Sequence, residues 1–247
     1  ILYSKKYQNL SNYLTAGRNI GSLYLTTSLT ASALGTWILF GPASAATWGG
    51  IGSVIGYALG AAFPMIAFIF LGTKIRKVFP NGNTLTEFVY KKFGKNLFKL
   101  ILLLTIFYMF IFLCAEVTAV SLLLNYISGT PLWLTAALII VTTLIYTLYG
   151  GLRVSIFTDN IQFFIFLILL LIAAYYLFLQ NFNHVSFDIV KNNSSHLLSS
   201  KYIPNYTAGL TFFIAVSATN LFHQGNWQRI FAAKNNIVLK KSSFNFF

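Results

Sequence analysis

Between Lys99 and Glu116, and again between Asp159 and Asp188, the chain runs without one Asp, Glu, Lys or Arg through stretches dominated by Leu, Ile and Phe. About 20 apolar residues in helical form match the hydrocarbon thickness of a bilayer. Charged side chains at that depth are costly, so their scarcity is what a membrane-embedded chain requires. Of the 247 residues, 57% are hydrophobic and 9% charged. A soluble domain carries about 25% charged residues, so this chain has too few to cover a solvated surface.

The net charge of +13 does not indicate nucleic-acid binding, because the basic residues occupy short gaps between apolar runs instead of one face. The single cysteine, Cys114, lies inside an apolar run, which leaves no basis for a disulfide framework or a cysteine metal site. No secretory signal is evident. The chain starts without Met and ends just after a basic stretch, which reads as a fragment cut at both ends.

Six spans are expected, at about 21–42, 51–73, 97–126, 132–149, 154–179 and 206–224. Fifteen Lys and Arg fall in the gaps 1–20, 74–99, 150–153 and 225–247, against only Lys191 and Lys201 in the gaps 43–50, 127–131 and 180–205. By the positive-inside bias the start of the chain is cytoplasmic. Residues 81–96 carry Asn83 or Thr84 as a cap before an amphipathic turn, predicting a short interfacial helix. Residues 180–205 read as an external loop. Gly52, Gly56 and Gly60 form a ridge of small residues along one helix face, which lets another helix approach closely.

The first and sixth spans differ from the rest. The first carries Ser22, Thr26, Thr27, Ser28, Thr30, Ser32 and Thr36, with Gly35 near mid-depth and Pro42 at its end. The sixth starts apolar and turns polar at Ser217, Thr219, Asn220, His223 and Gln224. Unwound backbone survives in a bilayer only where it lines a cavity or is buried in protein. Paired interrupted segments at matching positions of two halves point to a transport site. The same Ser and Thr pattern also serves as interhelical glue, and polarity alone leaves both readings open. Glu116, flanked by Cys114 and Thr118 inside the third span, is an intramembrane carboxylate: it could bind a cation, carry a proton or pair with a cationic side chain.

Three motifs sharpen this picture. Asn12-Tyr-Leu-Thr-Ala-Gly-Arg18 resembles the "YxxAGR" entry of the sodium:solute symporter family. Residues 149–162, YGGLRVSIFTDNIQ, resemble its "GGxxAVxxTDxxQ" signature, and residues 227–234, WQRIFAAK, its "QRxxAAK" box. The Trp-Gln-Arg form is loosely similar to the urea-transporter branch. The resemblance implies an all-α integral membrane protein with a five-plus-five inverted-repeat (LeuT-type) fold. It would be incomplete here, lacking a leading helix and the helices after core helix six.

On that resemblance, Ala31 and Leu34 fall where the first core helix unwinds and offers two backbone carbonyls to Na⁺, a hard cation that prefers oxygen. Asp159 matches an acid along the sodium exit route, although an acid near a helix N-terminus is also favoured by the dipole. Asn220, Phe222 and His223 fall at the break of the sixth helix beside the solute cavity. Trp37 faces the same region, or is an ordinary packed aromatic. The proline-carrier branch has an acid in the broken first helix where Ala33 stands, which leaves Na⁺ and H⁺ both open as coupling ion. The function implied is cation-coupled symport of a small polar solute across the plasma (bacterial inner) membrane by alternating access. Its partners are the solute, Na⁺ and the lipid bilayer, with no nucleic acid, no cofactor and no enzymatic step. The rival readings are the sensor domain of a symporter-like receptor kinase, a channel, and a nonfunctional truncation.

Overall fold

The computed structural model describes residues 10–179 and 182–245, with the side chains of 37, 39 and 182–187 outside the described set. Almost all described residues are helical. The only extended pairing among them is an isolated parallel bridge between Ile20 and Ala233. Among the described residues ten α-helices follow in order: α1 Leu10–Thr15, α2 Ser22–Ala33, α3 Trp37–Val78, α4 Leu85–Phe93, α5 Lys95–Ser128, α6 Leu132–Leu179, α7 Phe182–Asn193, α8 Ile203–Phe222, α9 Gln224–Ala232 and α10 Asn236–Asn245. Among the described residues, three helical stretches are long and apolar enough to cross a membrane: Phe40–Val78, Lys95–Ser128 and Leu132–Leu179.

Two of those stretches are bent. Gly50 has φ 62° and ψ −162°, and Gly151 has φ 57° and ψ −157°. Both conformations are open essentially to glycine alone. The bends divide α3 into residues 37–49 and 51–78, and α6 into 132–150 and 152–179. At Gly151 the Tyr13 ring and main chain occupy the space a Cβ would need, and the Tyr13 hydroxyl donates to the Thr147 carbonyl at 2.7 Å. Two of the three motifs thus meet at this bend.

The buried core lies where α2, the second part of α3, α9 and α10 converge. Leu25, Leu29, Met65, Phe68, Trp227, Ile230, Phe231 and Leu239 form one cluster, with Phe68 and Trp227 edge to face at 5.4 Å. The glycine ridge packs against α8: a Cβ on Gly52 would overlap the Asn205 carbonyl, and one on Gly56 the Gly209 carbonyl. Phe63 and Phe213 close the same interface at 5.5 Å. By contrast, large side chains along α5 and α6, such as Leu103, Phe107, Phe110, Ile168 and Leu171, face outward.

Three local expectations meet the coordinates. The short helix after the second span is α4, where the Thr84 hydroxyl accepts from the Glu87 N–H at 3.1 Å. The Glu87 carboxylate reaches back to the Asn83 N–H at 3.0 Å, so two orphan donors are satisfied reciprocally. Thr84→Ala should cost about 1 kcal/mol, read as a lowered thermal midpoint in detergent. The expected loop at 180–205 instead contains α7 and a 3₁₀ turn at Ser195–Leu198. Residues 225–247, the last of the basic gaps, hold α9, which is largely buried, and α10. Arg229 is 6% exposed and is therefore no loop charge.

Candidate functional site

The chain opens between α2 and α3. Leu34 leaves helical geometry at φ −97° and ψ 55°, and its N–H still reaches the Thr30 and Ala31 carbonyls at 3.1 and 3.2 Å. The Thr36 N–H at the restart of the helix donates to Glu116 Oε2 at 2.7 Å. This carboxylate from α5 does for the half-buried restart what a capping side chain does at a helix N-terminus. A Cβ on Gly35 would overlap the Glu116 carboxyl group, so any larger residue here would displace that side chain. A cavity of about 390 Å³ adjoins the opening, and Ala31, Leu34, Gly35, Thr36 and Glu116 are on its wall with Gln162, Phe163 and Phe166.

A second opening separates α8 from α9. His223 is extended, with φ −65° and ψ 113°. The carbonyls freed at the end of α8 find side-chain donors: Asn226 Nδ2 to Asn220 O at 3.1 Å and Trp227 Nε1 to Leu221 O at 2.6 Å. The Asn220 amide turns back onto the Val216 carbonyl at 3.0 Å, and Phe222 is exposed. The His223 ring lies edge-on to Phe112 at 5.3 Å and to Tyr108 at 6.3 Å. Its Nδ1 is buried without a hydrogen-bond partner among the described residues, as is Gln224 Oε1.

The sequence-predicted residues therefore separate into two groups. Ala31, Leu34 and Glu116 meet at the first opening, whereas Asn220, Phe222 and His223 lie at the second. Trp37 is the first residue of α3, but its side chain lies outside the described residues. Helix α5 links the groups through Tyr108, Phe112 and Glu116, spaced four residues apart on one face. The first two touch His223 and the third touches Thr36.

Asp159 does not stand at a helix N-terminus. It lies about two turns past the bend at Gly151, beyond the reach of a helix-end dipole. Its Oδ2 instead accepts from Arg229 Nη2 at 2.7 Å and from the Ser28 hydroxyl at 2.5 Å. Arg229 Nε donates to Ser28 Oγ at 2.8 Å, and Nη1 to the Gly225 carbonyl at 3.0 Å. Beside this pair, Asn160 contacts the Thr27 hydroxyl and donates to the Ile156 carbonyl at 2.6 Å. One charged cluster thus joins α2, α6 and α9. Sequence reasoning missed Ser28, Asn160 and Arg229 as partners, although Arg229 and Asp159 stand in two of the recognised motifs.

The trailing half of the second opening is tied to the leading half of the first. Ile20 N–H donates to Ala232 O at 3.1 Å, and Lys234 N–H to Ile20 O at 3.0 Å. Arg76 holds the end of α9 through the Ile230 and Ala233 carbonyls at 3.0 and 2.7 Å.

Comparison with known proteins bears on this geometry. The family model described as Sodium:solute symporter family matches residues 13–238. The spermidine transporter of Candida albicans is 29% identical over 94% of this chain and 43% of its own length. The sodium/proline symporter of Haemophilus influenzae is 27% identical over 81% of the chain and 41% of its own length. The urea active transporter of Saccharomyces cerevisiae is 25% identical over 70% and 24%. The chain spans less than half the length of these relatives. No solved structure matches it significantly.

Proposed function

The chain belongs to the sodium:solute symporter family, whose members are transporters and not enzymes, and on that premise we propose that it forms the ion- and solute-handling part of a cation-coupled symporter. The observation that carries this reading is the pair of openings, at Leu34–Thr36 and at His223, both touched by one face of α5. Two interrupted helices with freed main-chain groups are the means by which such carriers surround an ion and a solute.

The finer architecture proposed is six spans of a five-plus-five inverted repeat of LeuT type, completed by helices outside residues 1–247. The bends at Gly50 and Gly151 support dividing α3 and α6 into separate crossings. The positive-inside bias supports a cytoplasmic start in the plasma or bacterial inner membrane, with the outward apolar faces of α5 and α6 against lipid or neighbouring helices. Na⁺ is the proposed coupling ion, held in part by the carbonyls of Ala31 and Leu34. The Ala31 oxygen already accepts one N–H, and a carbonyl has a second lone pair to offer. H⁺ is the alternative ion. The solute is a small polar molecule near Trp37, Asn220, Phe222 and His223. Spermidine, urea and proline, named for the relatives, are the first to try.

Proteoliposomes holding the complete gene product that contains this chain provide the test. An inward sodium gradient is expected to accelerate uptake of one of those solutes. Equal uptake with and without a sodium or proton gradient would remove the symport reading.

A further inference from the structure

We infer that the turn joining α3 to α5 is a docking surface for the headgroups of anionic phospholipids. The inference goes beyond the carrier reading and does not depend on it. Helix α3 ends at Val78, α4 runs from Leu85 to Phe93, and α5 starts at Lys95, so two long apolar helices leave from this one turn. Lys74 and Lys77 lie in the last two turns of α3, Lys91 and Lys92 in the last turn of α4, and Lys95 and Lys99 in the first two turns of α5. All six are exposed. Lys74 and Lys99 are each only about 6 Å along their helix from its end, so the six form a shallow band. Between Lys74 and Lys99 the sequence holds one acid, Glu87. Its carboxylate is taken up locally, by the Asn83 N–H at 3.0 Å and by Lys91 at 3.6 Å. Among the described residues none of the other five lysines is within ion-pair distance of a carboxylate. Clusters of roughly four to eight basic residues where helices leave the membrane recruit anionic headgroups. Lys234, Lys240 and Lys241, around α10, are fewer than that.

The scaffold under the lysines is fixed from within. Arg18 clamps the loop before α4 by donating to the Gly82 carbonyl at 2.7 Å, and the Phe88 ring lies 6.2 Å from Phe79 and 6.4 Å from Phe93. Tyr90 and Phe93, next to Lys91 and Lys92 in sequence, are exposed. Exposed rings at a membrane boundary settle at headgroup depth. A phospholipid therefore finds a partner for each of its parts: ammonium groups for its phosphate, and rings for its glycerol and upper acyl chains. A soluble phosphate or an acidic peptide would use the charge and leave the rings in water.

The test titrates the detergent-purified complete gene product with dioctanoyl phosphatidylglycerol and, separately, with dioctanoyl phosphatidylcholine, counting bound lipids by native mass spectrometry. One lysine near an anionic surface contributes about fivefold, so phosphatidylglycerol is expected to bind at least about tenfold more tightly than phosphatidylcholine. The triple variant Lys92→Gln/Lys95→Gln/Lys99→Gln should weaken phosphatidylglycerol by about tenfold or more and leave phosphatidylcholine unchanged. Lys234→Gln/Lys240→Gln/Lys241→Gln, which removes the same charge elsewhere, should weaken it far less. Equal loss from the two triples would overturn the site, because any positive charge would then serve. Equal affinity of the parent protein for the two lipids would overturn it even if no variant folds, and is also the result expected if an acidic segment of the same protein covers the lysines. Inorganic phosphate at the lipid's concentration should not displace phosphatidylglycerol; displacement would assign the lysines to a soluble anion and reject the lipid. Detergent has no sidedness and the measurement involves no transport, so failure of the carrier reading would leave this result untouched, and the reverse.

Discussion

Arg229→Leu is expected to lower the unfolding free energy by about 3–5 kcal/mol, the largest single-site loss the structure implies. The Arg229 and Asp159 side chains are 8% and 13% exposed, and their charged atoms are 2.7 Å apart. Removing the guanidinium leaves a carboxylate in a poorly solvated interior, where the Ser28 hydroxyl still donates to it. It also frees the Gly225 carbonyl and cuts the link from α9 to α2. Removing both charges together is far less costly, because desolvation of the ions offsets much of their attraction. The double variant Asp159→Leu/Arg229→Leu should therefore recover a large part of the loss. Unfolding in detergent, followed by helical signal, decides the matter. A single variant within about 0.5 kcal/mol of the parent, the range of an ordinary surface change, would mean that the pair is solvated.

The second large effect is expected at the glycine ridge. Gly56→Leu should destabilise by about 3 kcal/mol or more, at the upper end of overpacking costs. The obstruction is the Gly209 main-chain carbonyl, which cannot change rotamer as a side chain would, so α3 and α8 must separate along their length. Gly60→Ala should cost less, since its Cβ would lie 3.0 Å from the Phe212 and Phe213 carbonyls. Gly21→Ala serves as the control, with nothing within 4 Å of its Cβ position. The order Gly56, Gly60, Gly21 in lost thermal stability is the outcome to look for. Equal losses at Gly56 and Gly21 would show that the helices do not pack through this ridge.

Family membership could be read from the chain alone because its signals are local. Apolar runs, motif spacing and the glycine ridge each depend on residues near one another in sequence. The openings were legible only in part. Polar side chains in the first and sixth spans marked the regions, but similar residues also glue continuous helices, so the main-chain breaks at Leu34–Thr36 and His223 had to be seen in coordinates. Reading the sixth span as ending near 224 hid α9, whose Asn226 and Arg229 look like loop residues until partners on other helices bury them.

What the amino-acid sequence determined by itself was the solvent of this protein, a bilayer, and the relationship carried by three short motifs. Tertiary structure decided which group each buried carboxylate meets. Asp159 and Arg229 are 70 residues apart, and Glu116 and Thr36 are 80 apart. Such pairs obey no periodicity, because they arise from how whole helices pack. The energy of a buried charge depends on atoms within a few ångströms, and only the folded chain determines which atoms those are.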